Sequence, residues 1–511
     1  MSFNSVKNNF ERKLCLFLCI LFCLPLFFIN VKNSHDWGDD FAQYLLQAKN
    51  IVEKKPQTET GYLYDATLSV VAPPAYPSGF PLMLAPVYAW KGNSIKAFSY
   101  LVTSLLFLLC ITLFIFLTGH FSGLSSLLLV FIFAYNPWTL GCKLEILSDI
   151  PFALFLLLAT LIYLKSTNSI LQSLLTGIAC GILISIRGVG LVFLTAFVLH
   201  NAYLFFMLVK TRKAVRSHTE RFFVTVGAAL AVFFLLNSVL VEVPAGKFLQ
   251  FYASAYKDNS VGDVMVQNLN HYVAVFEAYF DPPVKKWSFV PFVSKSFALV
   301  LLLIGMLYSL LHKRSFIDLL TWSYILLFIF YPYSFGGFRF ILPIFPFLLY
   351  YMVIGMNQIK INIPLNRKVL VLTGGLFVLL QYRPVVSKLI EERKGVLHGP
   401  QEFASKEIFQ YIKENIPEQS IIVFTKPKAL ALYTNRKTFS TVYGQTADDV
   451  NNMLNRLGAE YLLLNKDNDM HDQSLENYIM KYPDSIQLIW KNDKFVLYKK
   501  VLQDHGRWSV L

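Results

Sequence analysis

Residues 97–118 read AFSYLVTSLLFLLCITLFIFLT, 22 residues with no charged side chain. Wound as an α-helix at about 1.5 Å per residue, such a run is about 33 Å long, enough to cross the roughly 30 Å hydrocarbon layer of a bilayer. The rest of the chain shares this character. Of 511 residues, 55% are hydrophobic, 16% aromatic and 15% charged, and the mean hydropathy is +0.49. Soluble globular chains carry about 25% charge, and disordered chains lack this apolar content, so both classes are excluded. Working outward, ten further apolar segments lie near 14–31, 122–140, 149–165, 170–186, 189–209, 221–241, 294–311, 316–332, 339–357 and 367–383. The predicted fold class is an α-helical polytopic membrane protein with about eleven transmembrane helices over 1–383, followed by a small soluble α/β domain over 384–511.

The net charge is +14. Residues 1–383 hold 29 basic and 16 acidic groups, whereas 384–511 hold 17 and 16. The excess therefore sits between apolar runs, where it sets membrane orientation, and no nucleic-acid partner is expected. With the N-terminus inside, the inner loops carry Lys210, Arg212, Lys213, Arg216 and Arg221, then His312, Lys313 and Arg314, then Lys360, Arg367 and Lys368. The first outer loop, 32–96, is neutral, with six basic and six acidic residues. Eleven spans would place the 384–511 tail outside the cytoplasm. The first segment follows a basic stretch (Lys7, Arg12, Lys13) and shows no small-x-small cleavage site after Asn30, which reads as a retained signal anchor. The six cysteines have no metal-ligand spacing and read as small buried hydrophobes.

The first outer loop has its own organisation. Ser34-His35-Asp36 can cap a helix whose apolar face is Phe41, Tyr44, Leu45, Ala48 and Ile51. Pro73, Pro74 and Pro77 break the chain, and the apolar stretch Phe80 to Trp90 suits a helix lying in the outer membrane interface. A second outer loop covers 242–293. In the tail, 402–415 and 447–457 read as helices, 421–424 and 461–464 as strands, and 486–490 with 495–498 as a hairpin.

Four features could carry chemistry, all on the outer side of this topology. In Asp36-Trp37-Gly38-Asp39-Asp40, a helix would put 36, 39 and 40 on one face, able to supply a general base or hold a divalent cation, or merely to complement a helix dipole. Glu145 and Asp149 flank the entrance to the fourth segment, where Ser148 or Asp149 can cap and Pro151 fits the first turn. Arg187 lies between two apolar segments, as a snorkelling anchor or a ligand contact. Arg339 opens the tenth segment, and an arginine fork suits phosphate. With Lys285 and Lys286 on the same side, a phosphate site is plausible on charge alone.

Taken in order, these residues resemble the GT-C superfamily of polytopic glycosyltransferases, in the bacterial branch related to protein O-mannosyltransferases and lipid A aminoarabinose transferases. The matching elements are Asp39-Asp40 with Tyr44, Tyr76-Pro77-Ser78-Gly79-Phe80-Pro81 through Pro86, Ser148-Asp149-Ile150-Pro151, Ile186-Arg187-Gly188-Val189-Gly190 and Arg339-Phe340-Ile341-Leu342-Pro343. Asp39-Asp40 stands where family members often have Asp-Glu, leaving both groups acidic. The resemblance implies a bacterial inner-membrane enzyme. It would move a sugar from a polyprenyl-phosphate donor to an envelope acceptor at the outer face, with inversion. It also implies Asp39 as the base with Asp40 in reserve, and Arg339 and Arg187 on the donor phosphate. Asp36, Glu145, Asp149, Lys285 and Lys286 are accessory candidates. A metal can assist in such enzymes, but no ligand set here is diagnostic of one. The competing classes are a transporter or flippase of envelope precursors and a non-catalytic scaffold. Intramembrane charges or internal repeats would favour a transporter, and neither is visible.

Overall fold

The computed structural model describes residues 3–65, 73–165, 169–211, 215–238, 256, 260–280, 289–331, 337–359, 367–392, 395–442, 444–466 and 472–501. The helices of the first part are α1 (Phe3–Cys23), α2 (Asp39–Val52), α3 (Gly79–Lys91), α4 (Ile95–Thr118), α5 (Gly123–Ala134), α6 (Pro137–Leu144), α7 (Asp149–Leu164) and α8 (Ile170–Ile186). They continue as α9 (Leu191–Lys210), α10 (Val215–Ser238), α11 (Val261–Tyr279), α12 (Phe289–His312), α13 (Phe316–Ile329), α14 (Gly337–Ile341), α15 (Phe345–Gln358) and α16 (Arg367–Glu391).

Helix therefore occupies every apolar segment, but not every helix is long enough to span alone. Among the described residues, four helical stretches are long and apolar enough to cross a membrane: Ile95–Thr118, Gly188–Lys210, Val215–Asn237 and Lys295–His312. A fifth results if α5 and α6, bent by 55°, form one broken span. The bend has a local cause, since Asn136 caps α6 through the Trp138 N–H and Pro137 removes a backbone donor at its start. Two helices go beyond the apolar segments. The region 242–293 contains the 19-residue α11, whose moderate hydropathy hides it from a search for spans. The helix of the last apolar segment runs on past 383, through Pro384 to Glu391.

Helix packing relies on missing side chains. A Cβ on Gly305 would lie 1.8 Å from the Tyr351 carbonyl oxygen, and one on Gly355 would lie 2.0 Å from that of Leu301. α12 and α15 thus meet backbone to backbone, a close approach that only glycine permits. At Gly79 a Cβ would come within 2.7 Å of the Ser185 and Ile186 backbone, so glycine also seats α3 against the end of α8.

The tail is a five-stranded sheet with flanking helices α17 (Phe403–Asn415), α18 (Pro427–Thr434), α19 (Ala447–Leu457) and α20 (Asp472–Lys481). Its strands are β1 (Ile421–Val423), β2 (Lys437–Phe439), β3 (Tyr461–Asn465), β4 (Ile486–Lys491) and β5 (Phe495–Lys500). Their order is β2-β1-β3-β5-β4, with β1 parallel to β2 and β3, and β5 antiparallel to β3 and β4. Alternation along β3 and β5 serves two cores. Leu462, Leu464 and Val496 meet Val450, Met453 and Leu475, while Tyr461, Leu463, Phe495 and Leu497 join the core that continues into the membrane part.

Trp37 is the bridge between the two parts, edge-on to Phe409, Phe424 and Phe495. Backbone bonds add to it: Thr438 N–H donates to the Gly61 carbonyl at 2.9 Å, and Leu63 N–H to that of Thr438 at 2.8 Å. The sequence suggests a separate tail module, yet the first loop and the tail share one buried interface.

Candidate active site

α2 begins later than its sequence suggests. Gly38, not Ser34 or Asp36, is its N-cap residue, and no side chain caps it. Asp36 precedes the helix, accepts the Gly38 N–H at 3.0 Å and pairs with His35 Nδ1 at 2.9 Å. The expected shared helical face of 36, 39 and 40 is therefore absent, because a glycine between them interrupts the helix. Burial opposes ionisation of Asp36, but His35, the Gly38 N–H and Lys426 together hold the carboxyl below its ordinary range.

Asp39 and Asp40 fall in the first turn of α2, where the helix dipole favours carboxylates. They point to different tasks. Asp39 Oδ1 accepts the backbone N–H groups of Lys428 at 3.0 Å and Ala429 at 3.1 Å, capping α18, whose own N-cap residue makes no side-chain bond. Burial pushes the Asp39 carboxyl above its ordinary range, against the pull of Lys428 and the Ala429 N–H. Asp40 is 40% exposed and faces Arg339, whose Nη2 lies 3.5 Å from Oδ2. The Tyr76 hydroxyl donates to its Oδ1 at 2.5 Å. Burial works against the Asp40 anion, but Lys428, Arg339 and Tyr76 together hold its pKa below the ordinary carboxylate value.

Asp149 is the hub of a second set of contacts. It is the first residue of α7, its side chain is 4% exposed, and Arg187 binds its Oδ1. Arg339 Nε stands 3.4 Å from its Oδ2. Neither expected capping arrangement is present, since Ser148 makes no cap bond and its hydroxyl instead meets the Tyr44 hydroxyl at 2.9 Å. Arg187 follows α8 in extended conformation, which breaks the helix and turns the guanidinium to Asp149 rather than leaving it to snorkel. The tertiary fold thus gathers Asp39, Asp40, Asp149, Arg187 and Arg339 from four distant stretches. Asp36 stands apart with His35. Glu145 precedes α7, and burial and Asp36 push its pKa up to about 7 against Arg339. Lys285 and Lys286 lie outside the described residues.

The residue that sequence reading missed is Lys428. Its side chain is 2% exposed, its Nζ lies 3.9 Å from Asp39 Oδ2, and it donates to the Tyr76 hydroxyl at 3.1 Å. The available signal was Pro427, a helix-start residue four positions after the end of strand β1.

Next to the charges lies grease. A cavity of about 220 Å³ is lined by apolar and aromatic side chains of α11, α12, α13, α14 and α15, among them Tyr272, Met306, Trp322, Phe328 and Phe340. The Phe340 ring is 5.3 Å from the Arg187 guanidinium carbon and 5.9 Å from that of Arg339. One side chain is thus both the cavity wall and the platform of the arginines. Among the described residues, no three His, Cys, Asp or Glu side chains are placed to hold a metal; Asp40 and Asp149 are instead occupied by guanidinium groups.

Comparison with known proteins agrees with this architecture. No curated protein matches the chain. Among solved structures, the chain is similar to ArnT from Cupriavidus metallidurans bound to undecaprenyl phosphate, with TM-score 0.56 and 11% identity over 95% of this chain and 98% of that one. It is also similar to the archaeal oligosaccharyltransferase AglB from Archaeoglobus fulgidus in complex with an inhibitory peptide and a dolichol-phosphate, with TM-score 0.54 and 12% identity over 89% and 69%. At such identities the likeness shows the fold, which is that of GT-C glycosyltransferases. The profile of the family DUF2079, described as predicted membrane protein, matches residues 76–489, which includes Tyr76, Asp149, Arg187, Arg339 and Lys428. The chain belongs to the DUF2079 family of predicted membrane proteins and is built on the GT-C fold.

Proposed function

We propose that the protein is a glycosyltransferase that moves a sugar from a polyprenyl-phosphate donor to an envelope acceptor, a lipid, glycan or protein, at the outer face of a bacterial inner membrane, with inversion. One observation carries this reading: two guanidinium groups stand on Phe340 at the edge of an apolar cavity. A lipid phosphate needs a cationic site and a greasy one in contact. Arg187 and Arg339 would take the phosphate, and the cavity the first part of the chain. The similar structures contain undecaprenyl phosphate and dolichol-phosphate, which fits the same fold holding such a lipid.

In the reaction, a carboxylate takes the proton of an acceptor hydroxyl as its oxygen attacks the anomeric carbon. The bond from that carbon to the phosphate oxygen breaks, and its electron pair stays on the phosphate. A single displacement inverts the centre. The phosphate gains charge as it leaves, and cations fixed in place stabilise that change without reorganising. Asp40 is our base. Asp39, the base implied by resemblance, has its raised pKa in its favour, but its Oδ1 is occupied by two backbone N–H groups. Asp40 is exposed to the site and ionised at neutral pH, and geometry takes precedence over basicity in choosing a base.

The test uses a deletion strain complemented with full-length variants, with envelope glycans and lipids read by mass spectrometry. Asp40→Asn should lower transfer about 100- to 10,000-fold while the purified protein still binds undecaprenyl phosphate. An envelope identical in deletion and wild-type strains refutes the function. Near-normal transfer by Asp40→Asn, with Asp39→Asn inactive, returns the base to Asp39.

A further inference from the structure

The tail does more than sit over the membrane part. α18 starts with Pro427, which lacks an N–H, and the next two backbone donors both go to Asp39. That clasp fixes the first turn of α18 and with it the direction of Lys428. The side chain passes the rings of Tyr62 and Tyr76, with Nζ 5.3 Å and 4.8 Å from their centres, and ends on the Tyr76 hydroxyl at 3.1 Å. An ammonium has only donors. The phenol oxygen must therefore accept from Lys428, which commits its single hydrogen to Asp40 Oδ1, 2.5 Å away. The lysine is 2% exposed, so water cannot easily substitute for it.

We infer that the C-terminal domain completes the active site, Lys428 being a positioning residue that acts through the Tyr76 hydroxyl to orient Asp40 and keep it ionised. This rests on the proposed glycosyl transfer and adds to it a requirement for the tail. Asp40 is also faced by Arg339, Arg187, Tyr44 and its neighbour Asp39. Arg339 and Arg187 remain when Lys428 is removed, so phosphate binding should survive. The relay loses its cation, and the carboxyl becomes easier to protonate.

Transfer is followed between pH 4 and 8 in membranes from the deletion strain carrying each full-length variant. The product measured is whichever envelope glycan the deletion strain lacks. Lys428→Met should transfer about 10- to 100-fold more slowly at the acid end, the scale of a lost hydrogen bond to a charged group. Its acid limb should move to higher pH, and Lys428→Arg should restore much of it. In a Tyr76→Phe background, Lys428→Met should add less than it does alone, because the relay is already cut and only the direct attraction of Lys428 for Asp40 is left to lose. Binding of undecaprenyl phosphate to the purified variants should stay within about twofold of wild type.

An unshifted acid limb in Lys428→Met overturns the inference, as does full additivity with Tyr76→Phe. So does lost undecaprenyl phosphate binding, which would make Lys428 a phosphate ligand. Should Lys428→Met fail to elute as folded protein on size exclusion, Tyr76→Phe decides, and an unshifted limb there overturns the relay. Wild-type membranes without transfer refute the function itself, and this inference with it.

Discussion

Replacing Arg339 with Met tests the phosphate site most directly. Its guanidinium stands 3.5 Å from Asp40 and 3.4 Å from Asp149, so three cations, Arg187, Arg339 and Lys428, face three carboxylates, Asp39, Asp40 and Asp149. Two unit charges about 4 Å apart attract by about 4 kcal/mol at an effective dielectric of about 20. Desolvation takes back part of this, leaving about 1.5–3 kcal/mol for a charge-assisted hydrogen bond. At about 1.4 kcal/mol per factor of ten, Arg339→Met should bind undecaprenyl phosphate about 10- to 150-fold more weakly. Arg339→Lys keeps the charge but not the planar fork and should lose less. Adding Asp149→Asn to Arg339→Met removes a carboxylate that Arg339 no longer faces and should recover part of the affinity. Binding is measured on purified full-length protein in nanodiscs, with thermal unfolding as the check on folding. A folded Arg339→Met variant with wild-type affinity would refute the assignment of the phosphate to this cluster.

Three further outcomes are expected. Asp39→Ala removes the cap of α18 and should cost about 0.5–2 kcal/mol of stability; thermal melts should show a lower midpoint, largely restored by Asp39→Asn, and an unchanged midpoint would deny the clasp. Glu145, pushed up to about 7 from 4.5, keeps in the folded state a proton that the unfolded chain releases, so it lowers stability as pH rises between those values. Glu145→Gln should therefore melt above wild type at pH 8 and level with it at pH 4, and equal melts at both would contradict the raised pKa. Cysteines introduced at the exposed positions Glu59 and Asn452 should both react with an impermeant thiol reagent added outside intact cells; labelling of only one would break the shared compartment, and labelling of neither would put the tail and loop inside.

The membrane class and the helix positions were legible because burial in lipid demands long apolar runs with every backbone bond satisfied locally, a one-dimensional signal. The acidic pair and both arginines stood out in sequence because charge beside such runs is costly. The strands β1, β3, β4 and β5 were readable from short β-rich stretches, whereas the eight-residue α18 was too short to show a period and β2, Lys437-Thr438-Phe439, lacks the apolar β-branched run of Ile421-Ile422-Val423.

What sequence could not say is which charges meet. Asp36 looked like the third member of a carboxylate face, but Gly38 ends that possibility by starting the helix after it. Asp149 looked like a cap and became the partner of two arginines, because α7, the α8–α9 turn and α14 converge there. Lys428 had only the helix-start signal of Pro427 beside it and lies 389 positions from Asp39, which caps its helix. The sequence alone determined where the chain is greasy and where it is charged, since each depends on neighbours a few residues apart. Tertiary structure alone decided how Asp39 and Asp40 divide their contacts and that Lys428 of the tail reaches them. Pairing of buried charges is set by distance in space, and a chain that folds back on itself severs that distance from position in the sequence.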